Sequence, residues 1–164
     1  MTIPYRDYPV LCVDDEEANI ALYRYRLEPE FVVESTNDPL EAARLLESKR
    51  YAILISDQRM PGMTGVELCA HARVVSPATV RVIVTGYADV HATIDAVNEG
   101  AVMRYLEKPV SPELLSELVR NAIHVRHARR AIETLEQEML RPSPPATVPP
   151  SARLAAPILT EMEQ

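Results

Sequence analysis

Four places in this 164-residue sequence carry side chains that could do chemistry together. Asp14 and Asp15 follow the apolar run Val10 to Val13, Asp57 follows Ile53 to Ser56, Thr85 ends a run from Val80, and Lys108 stands before Pro109. Carboxylates brought close together repel, and the crowding raises a pKa until one of them takes a proton. A divalent cation removes that penalty. All-oxygen ligands without His or Cys select a hard ion, and three carboxylates with room for water suit Mg²⁺ better than an all-protein calcium cage. A hydroxyl and a lysine beside that ion would complete a phosphoryl-transfer site. Metal and Lys108 would neutralise phosphoryl oxygens, Thr85 would supply a hydrogen bond, and one carboxylate could be the nucleophile, giving an acyl phosphate.

The elements that must position these groups are legible as alternating runs. Pro9 to Val13, Phe31 to Glu34, Tyr51 to Ser56, Val80 to Thr85 and Val102 to Leu106 are short and largely β-branched, which predicts strands. Between them lie helix signals. Asp38-Pro39-Leu40-Glu41 offers an N-cap, a first-turn proline and a reciprocating Glu, and Thr64 to Glu67 repeats the spacing. Asn98-Glu99-Gly100 closes a fourth helix and Ser111-Pro112 opens a fifth. Strands alternating with helices imply parallel pairing through right-handed crossovers, hence a doubly wound α/β sheet. In such sheets the site lies beyond the carboxyl ends of the strands, where the winding reverses. Adjacent acids at one strand end can simply favour the next helix N-terminus, and Asp15-Glu16-Glu17 suits that role. Four strand ends with complementary chemistry at one edge favour a shared site.

Composition narrows the alternatives. The chain is 47% hydrophobic and 25% charged, ordinary for a globular domain, and its net charge of −7 argues against non-specific nucleic-acid binding. No signal-like start and no apolar stretch near the roughly 20 residues needed to span a bilayer are present, so a cytoplasmic location is expected. Cys12 and Cys69 lack metal-like spacing and read as buried, reduced thiols.

With "VDDE" after the first strand, "ISDQRMPGMTG" around Asp57, "VTGYAD" at Thr85 and "YLEKP" ending at Pro109, the chain resembles the receiver domains of bacterial two-component response regulators from about Tyr8 to about Ala122. The resemblance implies a flavodoxin-like five-stranded parallel sheet of order 2-1-3-4-5. It implies that Asp57 accepts a phosphoryl group from a histidine kinase or phosphotransfer protein. Asp15, Asp57 and the backbone carbonyl of Arg59 would ligate Mg²⁺ directly, with Asp14 acting mainly through a metal-bound water. Lys108 would pair with phosphoryl oxygens, the Lys108-Pro109 peptide would be cis, and Thr85 and Tyr105 would switch together. No substrate beyond small phosphodonors and no catalysis beyond self-phosphorylation and autodephosphorylation are implied. Two rivals are a Mg²⁺-dependent aspartyl-phosphate phosphohydrolase and a docking scaffold that needs no phosphorylation. The first would place a second Asp two residues after a first-strand nucleophile, where this chain has Glu16. The second would have no reason to keep mutually repelling acids.

Arg59 and Tyr87, each two residues beyond a site residue, are expected to line the rim and lengthen the phosphoryl lifetime. Thr64 stands at a loop position where receivers often carry Asp. The stretch from Thr85 to Pro109 is similar to receivers that precede AAA+ transcription activators or cyclic-dinucleotide phosphodiesterase outputs.

The expected division is a receiver over 1–123, a helical extension over 124–141 and a Pro-rich linker and tail over 142–164. Leu118, Ala122, Val125, Ala128, Ile132, Leu135 and Met139 follow at steps of three or four, a narrow seam of coiled-coil kind. A helix from Pro112 to Leu140 would be roughly 40 Å long, too long for one sheet face, so a parallel homodimer through the overhang is expected. Arg126, Arg129 and Arg130, flanked by Glu133, Glu136 and Glu138, read as a solvated helix face rather than a nucleic-acid site.

Overall fold

The computed structural model describes residues 2–86, 89–99 and 101–141. Tyr87, Gly100 and the expected linker over 142–164 lie outside the described residues. After a 3-10 turn at Tyr5–Asp7 come β1 (Val10–Val13), α1 (Glu17–Leu27), β2 (Val33–Thr36), α2 (Pro39–Ser48), β3 (Ile53–Asp57) and α3 (Gly65–Val75). The chain continues through β4 (Val80–Thr85), α4 (Val90–Asn98), β5 (Arg104–Glu107) and α5 (Pro112–Leu140). The five strands are parallel in the order β2-β1-β3-β4-β5.

Strand alternation splits the core into two layers. Val10, Cys12, Ile53 and Ile55 face α1 and α5, packing on Tyr23, Leu27, Val119 and Ile123. Leu11, Val13, Leu54 and Ile83 face the other helices, packing on Leu46, Leu68, Ala72 and Ala96. β1 and β3 are buried along their whole length, as central strands covered on both faces must be. Both cysteines are free and buried, and burial pushes each thiol up to about 12.

The caps follow local chemistry. Asp38 accepts from Leu40 N at 2.9 Å, Ser111 accepts from Leu114 N at 3.1 Å, and Thr64 and Glu67 form a reciprocal capping box. Glu41 does not reciprocate at Asp38; its carboxylate accepts from the Thr36 hydroxyl, which in turn accepts from Asp38 N at 3.1 Å. β2 begins two residues later than its apolar run suggests. Phe31 instead plugs the core at 1% exposure, its N–H donating back to Leu27 O at 2.9 Å. β5 likewise starts at Arg104, since Val102 N still donates to Ala96 O at the end of α4. β1 and β3 begin at Val10 and Ile53, one and two residues inside their runs.

Candidate functional site

Sheet register assembles the site. Val13 is level with Ser56, which sets Asp14 beside Asp57 where β1 and β3 end. Asp57 is level with Val84, so Thr85 stands one step beyond, and Thr85 is level with Glu107, placing Lys108 next. Lys108 N donates to Thr85 O at 2.8 Å, extending the ladder. β1 and β3 also flank the reversal of winding, since the chain runs outward to β2 before returning to β3.

Ligand atoms of Asp14, Asp15 and Asp57 lie within 4.8 Å of one another. Asp14 is wholly buried, accepting from Glu16 N at 3.0 Å, from Asn19 Nδ2 at 3.2 and 3.1 Å, and from Lys108 Nζ at 3.3 Å. Asp57 is 7% exposed and its Oδ1 is 2.9 Å from Lys108 Nζ. Burial holds the Asp57 carboxyl above the usual range, with the Asp14 charge adding to the rise and Lys108 and Gln58 opposing it. Burial works against the Lys108 charge, yet the Asp57 hydrogen bond and both carboxylates outweigh it and raise its pKa. One ammonium thus serves two acids.

This arrangement can hold a hard cation and keep a nucleophilic oxygen at its side. The donors are oxygens only, Asp15 is exposed to approaching ligand, and one lysine offsets just part of the negative charge, all of which fit Mg²⁺.

A response regulator receiver domain model matches residues 10–120. The chain belongs to that family. The hydrogenase transcriptional regulatory protein HoxA of Cupriavidus necator is 34% identical over 147 residues, covering 90% of this chain and 30% of HoxA. The alginate biosynthesis transcriptional regulatory protein AlgB of Pseudomonas aeruginosa is 35% identical over 133 residues, covering 80% of this chain and 29% of AlgB. The chain therefore spans about a third of these relatives. The crystal structure of the signal receiver domain of an HD domain-containing protein from Pseudomonas fluorescens superposes with a TM-score of 0.72 at 30% identity, covering 80% of this chain and 96% of that one. The protein is a receiver domain homologous to response regulators of two-component signalling. Receiver domains bind Mg²⁺ through acidic residues such as those clustered here.

Thr85, Tyr105, Arg59 and the Lys108-Pro109 peptide are the remaining expected positions among the described residues. Thr85 is buried and its hydroxyl donates to Gly86 O at 3.2 Å. Tyr105 is 41% exposed on the sheet-edge strand β5. The Lys108-Pro109 peptide is cis. The Arg59 side chain pairs with Asp89 at 2.6 Å on the exposed rim.

Several participants were not among the expected site residues. Asn19 grips both Asp14 oxygens, and Tyr23 Oη lies 3.5 Å from Asp14 Oδ2. Gln58 accepts from Gly65 N through its carbonyl and from Val66 N through its side chain, each at 3.0 Å, binding the turn after Asp57 to α3. Asn19 alone was within reach of sequence reasoning, since it falls in the first turn of the helix that follows Asp14.

Proposed function

We propose that Asp57 accepts a phosphoryl group from a histidine kinase or phosphotransfer protein and that the acyl phosphate switches self-association or partner binding. An Asp57 oxygen attacks phosphorus, the bond from phosphorus to the donor nitrogen breaks, and its electron pair returns to that nitrogen. The observation that carries the reading is the convergence of Asp57, Lys108, Asp14 and Asp15 at adjacent strand ends, Asp57 Oδ1 lying 2.9 Å from the only ammonium in the cluster among the described residues.

Asp15, Asp57 and the Arg59 carbonyl would hold Mg²⁺, with Asp14 acting through its water; bound there, the ion supplies charge neutralisation for the transferring group. Lys108 steadies Asp57 before transfer and is placed to meet phosphoryl oxygens after it. The Thr85 hydroxyl needs only to leave the Gly86 carbonyl to donate to a phosphoryl oxygen. Tyr105, half exposed, follows Thr85 inward. Arg59 shapes the rim and sets the lifetime, and the same effect on lifetime is proposed for Tyr87. A cytoplasmic role is proposed from the family, and no helix among the described residues is long and apolar enough to cross a membrane. Self-association runs through the overhang of α5. The module carries no catalysis beyond its own phosphorylation and dephosphorylation.

Intact mass after incubation with Mg²⁺ and acetyl phosphate tests the reading. One phosphoryl adduct on the wild type, absent in Asp57→Asn, is expected; no adduct, or an equal adduct in the variant, overturns it.

A further inference from the structure

Asp14 takes most of its hydrogen bonds from one face of α1. Glu16 N reaches Oδ1 at 3.0 Å where the chain turns into the helix. Three residues on, the amide nitrogen of Asn19 stands 3.2 Å from Oδ1 and 3.1 Å from Oδ2. Tyr23, one turn further along the same face, brings its hydroxyl to 3.5 Å from Oδ2, the outer limit of a hydrogen bond. Lys108 Nζ completes the set at 3.3 Å from Oδ2.

A carboxylate offers about four lone-pair positions, and these four groups make five contacts with it. Asp14 is wholly buried as well, so it has no spare acceptor position and little room to turn. Glu16 N and Lys108 already give each oxygen a donor, so bare satisfaction of a buried carboxylate does not call for the Asn19 amide. What that amide adds is orientation. Its nitrogen is almost equally far from both oxygens, and a rotation that brings one nearer takes the other away.

The other two acids are held differently. Asp57 is steadied by Lys108 at 2.9 Å, while Asp15 is exposed. Two fixed acids and one adjustable acid limit how far the cradle can widen. Mg²⁺ demands near-ideal octahedral geometry at roughly 2.0–2.1 Å, whereas Ca²⁺ accepts looser arrangements at roughly 2.3–2.6 Å. A cradle that cannot widen favours the smaller ion.

We propose that Asn19 is a positioning residue that makes the cradle prefer Mg²⁺ to Ca²⁺ by fixing the Asp14 carboxylate. The inference rests on the Mg²⁺ cradle proposed above and deepens it. Asn19 acts through Asp14, and Tyr23 backs the same oxygen from one turn further along. Removing a hydrogen bond that orients a metal-binding group weakens the metal by about 10–100-fold. The loss falls on Mg²⁺, because Ca²⁺ tolerates a displaced carboxylate.

Amide NMR shifts of the whole chain, titrated with MgCl₂ or with CaCl₂, give both affinities for the wild type, Asn19→Ala and Asn19→Leu. The ratio of the two is the readout, since a loss of stability alone would weaken both ions together. Asn19→Leu nearly keeps the side-chain volume without its donor, and Asn19→Ala suits the helix interior. Mg²⁺ binding weaker by about tenfold in both variants, with Ca²⁺ binding changed by less than about threefold, is the expected result. Equal weakening of both ions, or a ratio that matches the wild type, overturns the inference and leaves the cradle standing. A fall of the ratio in Asn19→Ala alone also overturns it, since lost volume and not the lost donor would then be the cause. Wild-type shifts that respond to neither salt overturn the cradle itself and this inference with it.

Discussion

Arg59 Nε donates to Asp89 Oδ2 at 2.6 Å, so the loop that leaves the acceptor strand is tied to the residue that opens α4. The two residues are 30 positions apart and meet only because β3 and β4 are neighbours. Asp89 thereby anchors a side chain whose own position is 71% exposed. On the proposed reading, in which Arg59 hinders water at the rim, the anchor to Asp89 is what gives the side chain a fixed place there.

Arg59→Ala is expected to speed dephosphorylation of the Asp57 adduct by about two- to five-fold, the range open to an exposed charged contact. Asp89→Ala should do the same by releasing the guanidinium, and the double variant should be no faster than either single one. Decay of the adduct followed by intact mass checks this. Additive effects of the two substitutions would mean that the residues act separately.

Lys108 shares its charge between Asp57 and Asp14, so its removal has two effects of opposite sign. Lys108→Ala leaves two buried carboxylates unopposed. With the Lys108 side chain 28% exposed, the loss of stability in a chelator is about 2 kcal/mol, below the cost of breaking a fully buried pair. The same vacated charge should tighten Mg²⁺ binding by roughly tenfold. Denaturant midpoints with and without Mg²⁺ check both effects, the ion recovering most of the loss. A shortfall that Mg²⁺ leaves unchanged would assign Lys108 a purely structural role.

The pH dependence follows from Asp57. Its pKa is raised in the folded chain, by burial first and by Asp14 next. The unfolded chain therefore loses the Asp57 proton before the native state does. The protonated carboxyl's contribution to stability is full below the ordinary aspartate value of about 3.9 and is lost as pH rises through the elevated folded value. Asp57→Asn cannot ionise and escapes that loss. Its denaturant midpoint should exceed the wild type's at pH about 7, by on the order of 1 kcal/mol, with the gap closing towards pH about 4. Glu34 acts in the opposite sense. Hydrogen bonds from Lys49 and Tyr51 lower its pKa, so its contribution is lost as pH falls below the carboxylate range in both chains.

The sheet and its site were legible because β1, β3, β4 and β5 end on, or one residue before, Asp14, Asp57, Thr85 and Lys108, and burial on both faces leaves a plain mark in the unbroken apolar runs Val10 to Val13 and Ile53 to Ile55. Phe31 shows where that mark misleads. An apolar residue before a strand can serve the core from a turn, and nothing local separates the two uses. Glu41 fits a capping box by spacing, yet the Thr36 hydroxyl two residues before the cap competes for it and wins. The Arg59 and Asp89 pair depends on which strands are neighbours, information carried by the whole fold. Gly65 was visible only as the residue after a helix cap, and its closeness to the acceptor backbone belongs to the packing of α3 on β3.

That closeness gives a further prediction. A Cβ at Gly65 would lie 2.2 Å from Asp57 O and 2.7 Å from Ile83 Cδ1, far inside contact distance. Backbone cannot yield as a flexible side chain does, so α3 must move away from the carboxyl end of β3. Gly65 N also donates to Gln58 O at 3.0 Å, so the shift is transmitted to the turn that carries Asp57. Gly65→Ala is expected to cost about 2–4 kcal/mol and to slow phosphorylation by acetyl phosphate even where the chain remains folded. Gly62→Ala provides the contrast. Gly62 has φ +87° and its Cβ would meet only Leu40 Cδ1 at 3.9 Å, so the substitution strains the backbone without pressing on Asp57. It should lose about 1 kcal/mol and keep the phosphorylation rate. Thermal melts give the stabilities and timed intact-mass measurements give the rates. Equal slowing in both variants would trace the effect to general destabilisation, and slowing in Gly65→Ala alone would trace it to the packing of α3 against the acceptor strand.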